Sequence, residues 1–437
     1  MIYPSLEYAP GSLDRQCFCH AERDFPGGSS GVGTASNAVD ASRSREGARR
    51  SFDSSVAADL ITPPAEVDAP PQASPFAGAA PEDHQASREI AGKYHGRNGS
   101  IREIGMIRDA WHIACATAQL GTTPRATRVL DEDLVVFRDA EGKPRVLLDR
   151  CCHRGAKLSL GKVTDGNLAC GYHGWQYDGA GSCVHIPSFT RERRIPPSFT
   201  VPSFPCYEQE SYVWVWMGKG APKPERPLPI PGFDRSAWYQ GSSLMACNAM
   251  LLLENQIDGT HPPFVHPGTH VIDAVVRARG FTEYDVETRM TETGFAWFTP
   301  ATASAETPMP EIPLGGGVFD LPGRIVVHNK SFRKQDIIII NIVPTGTTSC
   351  RRDWLWRRGD GSGVTWWDEE PKIVSEDRHI VESSQPAFER YGHSFERSVE
   401  ADFTSYLVRE VVALAAAGEW ETRRKSLPQR RIVRYRG

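Results

Sequence analysis

Two short segments decide how this chain folds and what it can hold: DRCCHRGAKLSLG at residues 149–161 and CGYHGWQYD at residues 170–178. The first contains Cys151 and His153, and the second contains Cys170 and His173, with sixteen residues between the two pairs. Because each pair is closely spaced, one loop can bring both of its ligands to a single point. Two thiolates and two imidazoles fit either a tetrahedral zinc ion or a [2Fe–2S] cluster with Cys on one iron and His on the other.

The order of the ligands favours the iron–sulfur group, because zinc sites usually begin with two closely spaced cysteines. The residues around both pairs resemble the two cluster loops of the Rieske ring-hydroxylating oxygenases. One position departs from that resemblance: Cys152 stands where the family usually has proline. Cys152 adjoins Cys151 with no spacer, so we interpret it as a buried neighbouring thiol and not as a ligand.

A second motif, NQIDGTHPPFVHP, occupies residues 255–267. The two prolines between His261 and His266 exclude a single uninterrupted helix through both histidines. A helix that ends near Asp258, followed by a turn, would direct both imidazoles at one point. The spacing resembles the mononuclear-iron motif of the same oxygenases, Asp-x-x-His-x₄-His. Two histidines and one carboxylate with open positions opposite are the arrangement of O₂-activating Fe(II).

The missing carboxylate is predicted to be Asp377, within a helical pattern that starts near residue 370. One face of that helix would combine Asp377 with Ile373, Ile380, Val381 and Ser384. An unpaired carboxylate on an apolar face is costly, and a metal ion removes that cost. Glu376 and Glu382 are predicted to project elsewhere, into solvent. The alternative is that Asp377 only meets the positive end of the helix dipole.

The N-terminal segment, residues 1–105, differs from the rest of the chain. It is rich in Ser, Ala, Gly and Pro and lacks apolar periodicity, so we expect it to be disordered. Patterned sequence begins near Met106, and one hypothesis is that Met106 is the true start of the protein.

The remaining chain is predicted to form two domains. Short strand patterns fill the first, and a linker at residues 219–231 with five prolines in thirteen residues marks the boundary. We therefore expect an all-β Rieske [2Fe–2S] domain at 106–222 and an α+β, helix-grip-like catalytic domain with an antiparallel sheet at 223–437. Helix patterns lie around 250–260 and 370–417, and strand patterns lie at 294–298, 324–327 and 337–343.

Composition excludes several classes of protein. Fifty Lys and Arg against 54 Asp and Glu give a formal charge of −4, which argues against a dedicated nucleic-acid binder. No apolar run reaches 18 residues, so no membrane span is expected. The start of the chain does not resemble a secretory signal, and we predict a cytoplasmic protein. Ten cysteines in that compartment indicate metal binding or buried thiols more than disulfides.

The resemblance also implies partners and an activity. It is strongest to the vanillate- and dicamba-demethylating monooxygenases, which are homotrimers of an oxygenase subunit. Asp258 would bridge His173 of one subunit and His261 of the next. Electrons would come from NAD(P)H through a separate reductase, with or without a ferredoxin, because no dinucleotide-binding Gly motif is present. O₂ would oxidise an aromatic or other cyclic small molecule. Asn341 is the polar residue predicted to meet it, and the alternative is that Asn341 only bonds to the backbone within its strand.

Three other interpretations share part of these residues. A ring-dihydroxylating dioxygenase α subunit with a small β partner would use every predicted metal ligand. A zinc-bearing binding module, without enzymatic activity, would use Cys151, His153, Cys170 and His173 but leave His261 and His266 without a role. An electron-transfer Rieske protein would not need the second domain.

Overall fold

The structure is a computed structural model that describes residues 105–230, 233, 238–268, 276, 280–299, 316–329, 336–357, 364–366 and 370–436. These residues belong to one compact unit. The predicted disorder of the N-terminal segment falls on residues outside the described ones.

The first half consists of short antiparallel strands in three small sheets. The sheets have the strand orders β1-β11-β10, β2-β3-β4-β9 and β5-β6-β7-β8. Their bounds are β1 Trp111–Ala116, β2 Arg125–Val129, β3 Glu132–Arg138, β4 Pro144–Leu148, β5 Lys162–Thr164, β6 Asn167–Ala169, β7 Gln176–Tyr177, β8 Cys183–His185, β9 Ser203–Phe204, β10 Cys206–Gln209 and β11 Tyr212–Trp216. Short 3-10 helices lie at Thr117–Gln119 and Leu158–Leu160.

Tight two-residue turns set the register of these hairpins. Leu130 and Asp131 join β2 to β3 with φ of 51° and 65°, and Asp165 and Gly166 join β5 to β6 with φ of 51° and 76°. Turns with positive φ at both central residues match the twist of the strands that they join. A Cβ at Gly166 would lie 2.2 Å from the backbone nitrogen of Ala140, so this turn requires glycine for space as well as for conformation.

The second half is built on a nine-stranded sheet of order β19-β12-β18-β17-β16-β15-β14-β13-β20. All neighbouring pairs are antiparallel except β12 with β19. The strand bounds are β12 Trp238–Met245, β13 Glu283–Met290, β14 Gly294–Phe298, β15 Gly316–Asp320, β16 Arg324–Asn329, β17 Asp336–Gly346, β18 Ser349–Arg357, β19 Val364–Trp366 and β20 Arg430–Arg436. The helices are α1 Ala249–Ile257, α2 Pro262–Val265, α3 Lys372–Tyr391, α4 Phe403–Ala416 and α5 Trp420–Arg423, with 3-10 turns at Glu400–Asp402 and Arg424–Ser426.

Strand β17 explains how the sheet divides the core. Ile339 and Val343 belong to a cluster of buried residues shared with strands β1 and β11 of the first half. Ile340 and Ile342 belong to a second cluster, with α1, α3 and α4. Because successive side chains of a strand point to opposite faces, the sheet is covered by helices on one face and by the first half on the other. The predicted α+β class, with a β-rich first part, is confirmed.

The described residues bear on the expectations about membrane spans and cysteines. No described helix is long and apolar enough to cross a membrane. All eight cysteines in the described part of the chain are free.

Helix α3 is anchored by Phe388, which is 2% exposed and lies in the cluster with α1 and α4. We expect Phe388→Ala to reduce the free energy of unfolding by about 3–5 kcal/mol, because it removes a buried ring and leaves a cavity. His379→Ala, at an exposed position of the same helix, should change the free energy by less than about 0.5 kcal/mol. Urea unfolding followed by circular dichroism measures both, and equal losses would contradict this view of α3.

Candidate metal centres

The first loop, between β4 and β5, folds around the backbone of Cys151. The N–H of Cys151 donates to the carbonyl of Ala156 at 2.8 Å, and the N–H of Gly155 donates back to the carbonyl of Cys151 at 2.9 Å. Gly155 has φ of 74°, a conformation that favours glycine. At the base of the loop, the buried carboxylate of Asp149 accepts from the backbone N–H and the hydroxyl of Ser159, at 2.7 and 2.6 Å. The loop is therefore closed by its own backbone.

The second loop, between β6 and β7, repeats this geometry. The N–H of Cys170 donates to the carbonyl of Trp175 at 2.8 Å, and the N–H of Gly174 donates to the carbonyl of Cys170 at 3.0 Å. Gly174 has φ of 69°. In each loop the cysteine N–H thus donates to the carbonyl of the residue five positions later. The residue four positions later is a glycine with positive φ. The two loops present their cysteines in equivalent ways.

The four predicted ligands of this centre lie together. Cys151 and Cys170 are 3% and 4% exposed, and the rings of His153 and His173 have centroids 4.7 Å apart. Burial and the neighbouring Cys151 thiol raise the pKa of Cys170, although backbone N–H groups of the loop lower it. Among the described residues His153 Nδ1 is buried without a hydrogen-bond partner. Two buried thiols facing each other and a vacant imidazole nitrogen fit a [2Fe–2S] cluster with mixed ligands.

Tyr177 lies behind the cysteine ligands. Its hydroxyl is 3.0 Å from Cys151 Sγ and 3.3 Å from Cys152 Sγ. Burial and the two thiols raise the pKa of Tyr177, so the hydroxyl keeps its proton. With Cys151 as a thiolate, Tyr177 donates to it and the Cys152 thiol donates to Tyr177. The expectation that Cys152 is buried is wrong, because this residue is exposed.

The second centre consists of two histidines that flank helix α2 and one aspartate of helix α3. His261, His266 and Asp377 offer ligand atoms that all lie within 4.8 Å of one another. His261 Nε2 lies 3.5 Å, and His266 Nε2 3.0 Å, from the same oxygen, Oδ1 of Asp377. Helix α1 ends at Ile257 with Asp258 as its C-cap, and the prolines begin the short helix α2 between the histidines. The turn predicted from the prolines therefore places both imidazoles against α3.

A second carboxylate lies near the Nδ1 atom of each imidazole. His261 Nδ1 lies 3.4 Å from Asp258 Oδ2, and His266 Nδ1 donates to Glu376 Oε2 at 2.9 Å. The prediction that Glu376 projects into solvent is wrong: its side chain is only 16% exposed. Adjacent positions on a helix are about 100° apart, but the longer Glu side chain reaches around α3 to the second histidine. Such carboxylates set the tautomer of a ligating histidine.

The Asp377 carboxylate is 3% exposed and surrounded by donors. Asn255 donates to Oδ1 at 3.2 Å and Gln256 donates to Oδ2 at 3.1 Å, while Arg352 Nη1 lies 3.6 Å from Oδ2. Burial acts to raise the pKa of Asp377, but the histidines and Arg352 outweigh it and hold the pKa well below its usual range. For His261, burial acts to lower the pKa, but Asp258 and Asp377 outweigh it and raise the pKa to about 9. A metal cation can replace the imidazole protons in this donor set.

The predicted inward face of helix α3 was only partly right. Val381 is buried beside Asp377, but Ile380 is 48% exposed and Ser384 is also exposed. The buried stripe instead contains Val374, Asp377, Val381, Gln385 and Phe388. This stripe follows three- and four-residue steps, and the predicted face was rotated from it by including the adjacent position 380. Glu382 also differs from its prediction, because it is half-buried and accepts from Arg378 and the N–H of Ala246.

Asn341 lies away from the second centre. It alternates along β17 with Ile340 and Ile342, which face the helices, so its side chain belongs to the face toward the first half. It lines a cavity that contains none of the predicted metal ligands. The prediction that Asn341 meets a substrate beside the second centre is not supported by this placement.

Comparison with known proteins agrees with the geometry. Residues 110–205 match the family model of the Rieske [2Fe-2S] domain. The chain is 36% identical over 174 residues to the oxygenase component of dicamba O-demethylase from Stenotrophomonas maltophilia, covering 39% of this chain and 51% of that protein. It is 32% identical over 168 residues to the vanillate O-demethylase oxygenase subunit of a Pseudomonas strain, covering 36% and 45%. The matches span about half the length, or less, of such curated relatives.

Solved structures extend the similarity in fold to the second half. Dicamba monooxygenase bound to dicamba matches with a TM-score of 0.56 at 22% identity, covering 72% of this chain and 98% of that one. Pseudomonas putida NdmA with caffeine matches with a TM-score of 0.58 at 23% identity, covering 76% and 98%.

The loops and the match over residues 110–205 define a Rieske [2Fe–2S] domain in the first half of this chain. The chain resembles the oxygenase components of Rieske monooxygenases and shares the fold of dicamba monooxygenase.

The hydroxyl of Tyr177 provides one test of the first centre. A hydrogen bond to a ligand sulfur favours the reduced, more negative cluster, so Tyr177→Phe should lower the reduction potential. A loss on the order of 1.5 kcal/mol corresponds to about 60 mV for one electron. Cys152→Ser retains a donor to Tyr177 and should shift the potential less. Redox titration followed by EPR measures both variants; an unchanged potential in Tyr177→Phe would show that its hydroxyl does not bond to the cluster.

Metal content tests the second centre. We expect Asp377→Ala to lose about one equivalent of bound metal per chain, because it removes the carboxylate on which both imidazoles converge. The first centre should keep its visible absorption. Glu382→Gln, a change on the same helix away from the histidines, should keep both metals. Elemental analysis of anaerobically purified protein decides this, and full metal retention in Asp377→Ala would remove Asp377 from the site.

Proposed function

We propose that this protein is the oxygenase component of a multicomponent Rieske monooxygenase. One observation carries the proposal: a single chain contains a sulfur-and-imidazole donor set in its first half and an imidazole-and-carboxylate donor set in its second. A storage or zinc-binding role needs only one such set, whereas reductive O₂ activation needs an electron store and a separate open metal site.

In the first centre, Cys151 and Cys170 would ligate one iron and His153 and His173 the other. The cluster would supply single electrons. The protein's contribution is to hold two matched loops and to place the Tyr177 hydroxyl against one ligand sulfur, 3.0 Å away. Trp175 stacks on His153 with ring centroids 4.5 Å apart, which restricts the orientation of that imidazole.

In the second centre, His261, His266 and Asp377 would hold a mononuclear Fe(II), which supplies O₂ activation. Glu376 accepts from His266 Nδ1 at 2.9 Å, and Asp258 Oδ2 lies 3.4 Å from His261 Nδ1, so the Nε2 atom of each imidazole would be available to the metal. The Arg352 charge and the Gln256 amide engage the second carboxylate oxygen. These contacts keep Asp377 ionised and fix its orientation, so its carboxylate stays close to both imidazoles.

A head-to-tail homotrimer would connect the two centres. Near the first centre Leu160 and Tyr172 are 79% and 63% exposed, and near the second Phe264, between the histidines, is 70% exposed. Large exposed apolar side chains of this kind are typical of interfaces. The Asp258 side chain is 28% exposed, and one of its oxygens is held by Thr260 at 2.7 Å. Asp258 could therefore accept from His173 of a neighbouring subunit while it orients His261.

The proposed electron-transfer partners follow from a motif that the sequence lacks. With no dinucleotide-binding motif in the sequence, electrons would come from NAD(P)H through a separate reductase, with or without a ferredoxin, in the cytoplasm. By analogy with the named relatives, the substrate would be an aromatic or other cyclic small molecule, oxidised by O-demethylation or hydroxylation. A dihydroxylating dioxygenase is the second candidate, and co-purification of a small second chain would favour it.

The activity test uses the reduced, full-length protein. With O₂ and a substrate from a panel of vanillate, dicamba and benzoate, we expect rapid loss of the EPR signal of the reduced cluster and, for methoxylated compounds, release of formaldehyde. Asp377→Ala should keep the EPR signal but react slowly, because the electron has no site at which to reduce O₂. Zinc in both centres, or equal rates in the two proteins, would contradict the proposal.

Mixed assemblies test the trimer. Asp377→Ala lacks the second metal and His173→Ala lacks a cluster ligand, so each alone should be inactive. If electrons cross between subunits, co-expression in equal amounts should restore about a quarter of the wild-type activity, because one in four random neighbours pairs an intact cluster with an intact iron site. Complete inactivity of the mixed protein would place electron transfer within one subunit. Tagged co-purification confirms that the variants assemble together.

A further inference from the structure

Strand β18 brings one arginine under helix α3. Arg351 and Arg352 are neighbours on this strand, so their side chains point to opposite faces of the sheet. Arg351 donates to Thr127 Oγ1 and to the carbonyl of Ile113, both in the first half. Arg352 is 6% exposed, and its Nη1 lies 3.6 Å from Oδ2 of Asp377 on α3. A buried guanidinium therefore lies beside the carboxylate of the second centre.

The two oxygens of that carboxylate have different partners. Oδ1 of Asp377 lies 3.5 Å from His261 Nε2 and 3.0 Å from His266 Nε2. Oδ2 accepts from Gln256 at 3.1 Å and lies beside Arg352. A metal ion held by the two imidazoles would therefore meet Oδ1, while the charge of Arg352 acts from the side of Oδ2.

Arg352 gains little stability from its own contacts. Within the described part of the chain its Nε and Nη1 are buried without a hydrogen-bond partner, and Asp377 is its single ion-pair partner. Unsatisfied buried donors are costly, and apolar side chains of similar volume are often at least as stable as a buried ion pair. Burial lowers the pKa of Arg352, but a guanidinium keeps its proton at neutral pH. The position thus carries a positive charge that packing alone does not explain.

Other cations near α3 are closer to solvent. Arg378 donates to Glu370 at 3.1 Å, and both side chains are more than a quarter exposed. Lys372 lies 3.4 Å from Glu376 and is 73% exposed. Water and salt screen exposed charges much more than buried ones. Among the described residues, Arg352 is therefore the cation whose charge acts most directly on the second centre.

A fixed positive charge opposes a metal ion in proportion to the ion's own charge, so it disfavours a trivalent ion more than a divalent one. Over roughly 6–12 Å, and at an effective dielectric constant of about 20, one unit of charge shifts an equilibrium about ten- to a hundredfold. Sites with two histidines and one carboxylate activate O₂ on Fe(II), not on Fe(III). A charge that resists oxidation of the metal therefore protects the reactive state.

We propose that Arg352 holds the metal of the second centre in its divalent state by opposing the loss of an electron from it. Arg352 has this role only if His261, His266 and Asp377 hold iron, so the proposal rests on the proposed function. The arginine acts through Asp377, on the side away from the imidazoles. It is a positioning residue, whose contribution is a fixed charge.

The test measures the reduction potential of the iron at the second centre. Full-length holoproteins purified without oxygen are titrated with redox mediators, and the EPR signal of high-spin Fe(III) is followed. We expect Arg352→Met to keep its iron and to lower the potential by about 60–120 mV, because each tenfold shift equals about 59 mV for one electron. Arg352→Gln, a second neutral variant, should give the same shift. A purely structural role predicts loss of iron instead.

Two matched variants isolate the charge. Arg352→Lys keeps the charge and should recover most of the wild-type potential. Lys372→Met removes an exposed cation beside another carboxylate and should shift the equilibrium less than about twofold. The EPR signal of the reduced cluster in the first half shows that each variant folds.

Three results in the variants would overturn this inference alone. An unchanged potential in iron-loaded Arg352→Met would show that the charge does not act on the metal. Loss of iron from both neutral variants, with the cluster intact, would show that Arg352 only holds the site together. Equal shifts in Arg352→Lys and Arg352→Met would exclude charge as the cause. Wild-type protein that takes up no iron at this centre would instead contradict the proposed function, and this inference with it.

Discussion

The burial of one ionised carboxylate, that of Asp377, constrains the second half of this protein. A charge with 3% exposure is tolerated only when positive or polar groups surround it. Those groups come from separate elements: Asn255 and Gln256 from α1, the two histidines from the turn around α2, and Arg352 from β18. Any rearrangement that separates these elements leaves the carboxylate without partners. The same demand makes the place suitable for a cation.

The first half meets a different constraint by a different means. Its cysteine ligands Cys151 and Cys170 lie on loops in which backbone hydrogen bonds join residues at most five positions apart. The geometry of these loops is therefore determined locally. The buried cluster that contains Cys151, Cys170 and Trp175 consists only of residues from the first half. The two halves share another core, which contains Trp111 and Val215 of the first half and Ile339 of the nine-stranded sheet. One half can therefore present a redox group on local loops while the other assembles a metal site from distant segments.

The differences between prediction and structure follow this division. The Cys and His pairs lie together, and His261 and His266 converge on Asp377, because prolines, glycines and short spacings act over a few residues. Glu376 was misplaced because helical periodicity gives the direction of Cβ and not the reach of a long side chain. Ile380 was predicted to be buried because it is hydrophobic. The buried face of α3 instead begins at Val374 and does not include position 380. Asn341 was assigned to a substrate without knowledge of which face of β17 the helices cover.

The amino-acid sequence by itself indicated the candidate donor residues and determined the loops that hold the first set and the class of fold. These depend on local backbone chemistry: fixed φ at proline, positive φ at glycine and the chelating distance within a short loop. Only the tertiary structure decided that Glu376 supports His266, that Arg352 faces Asp377 and that Asn341 lies away from the second centre. The first two of these contacts join residues about 25 to 110 positions apart. They depend on how sheet and helices pack, which no short stretch of sequence encodes.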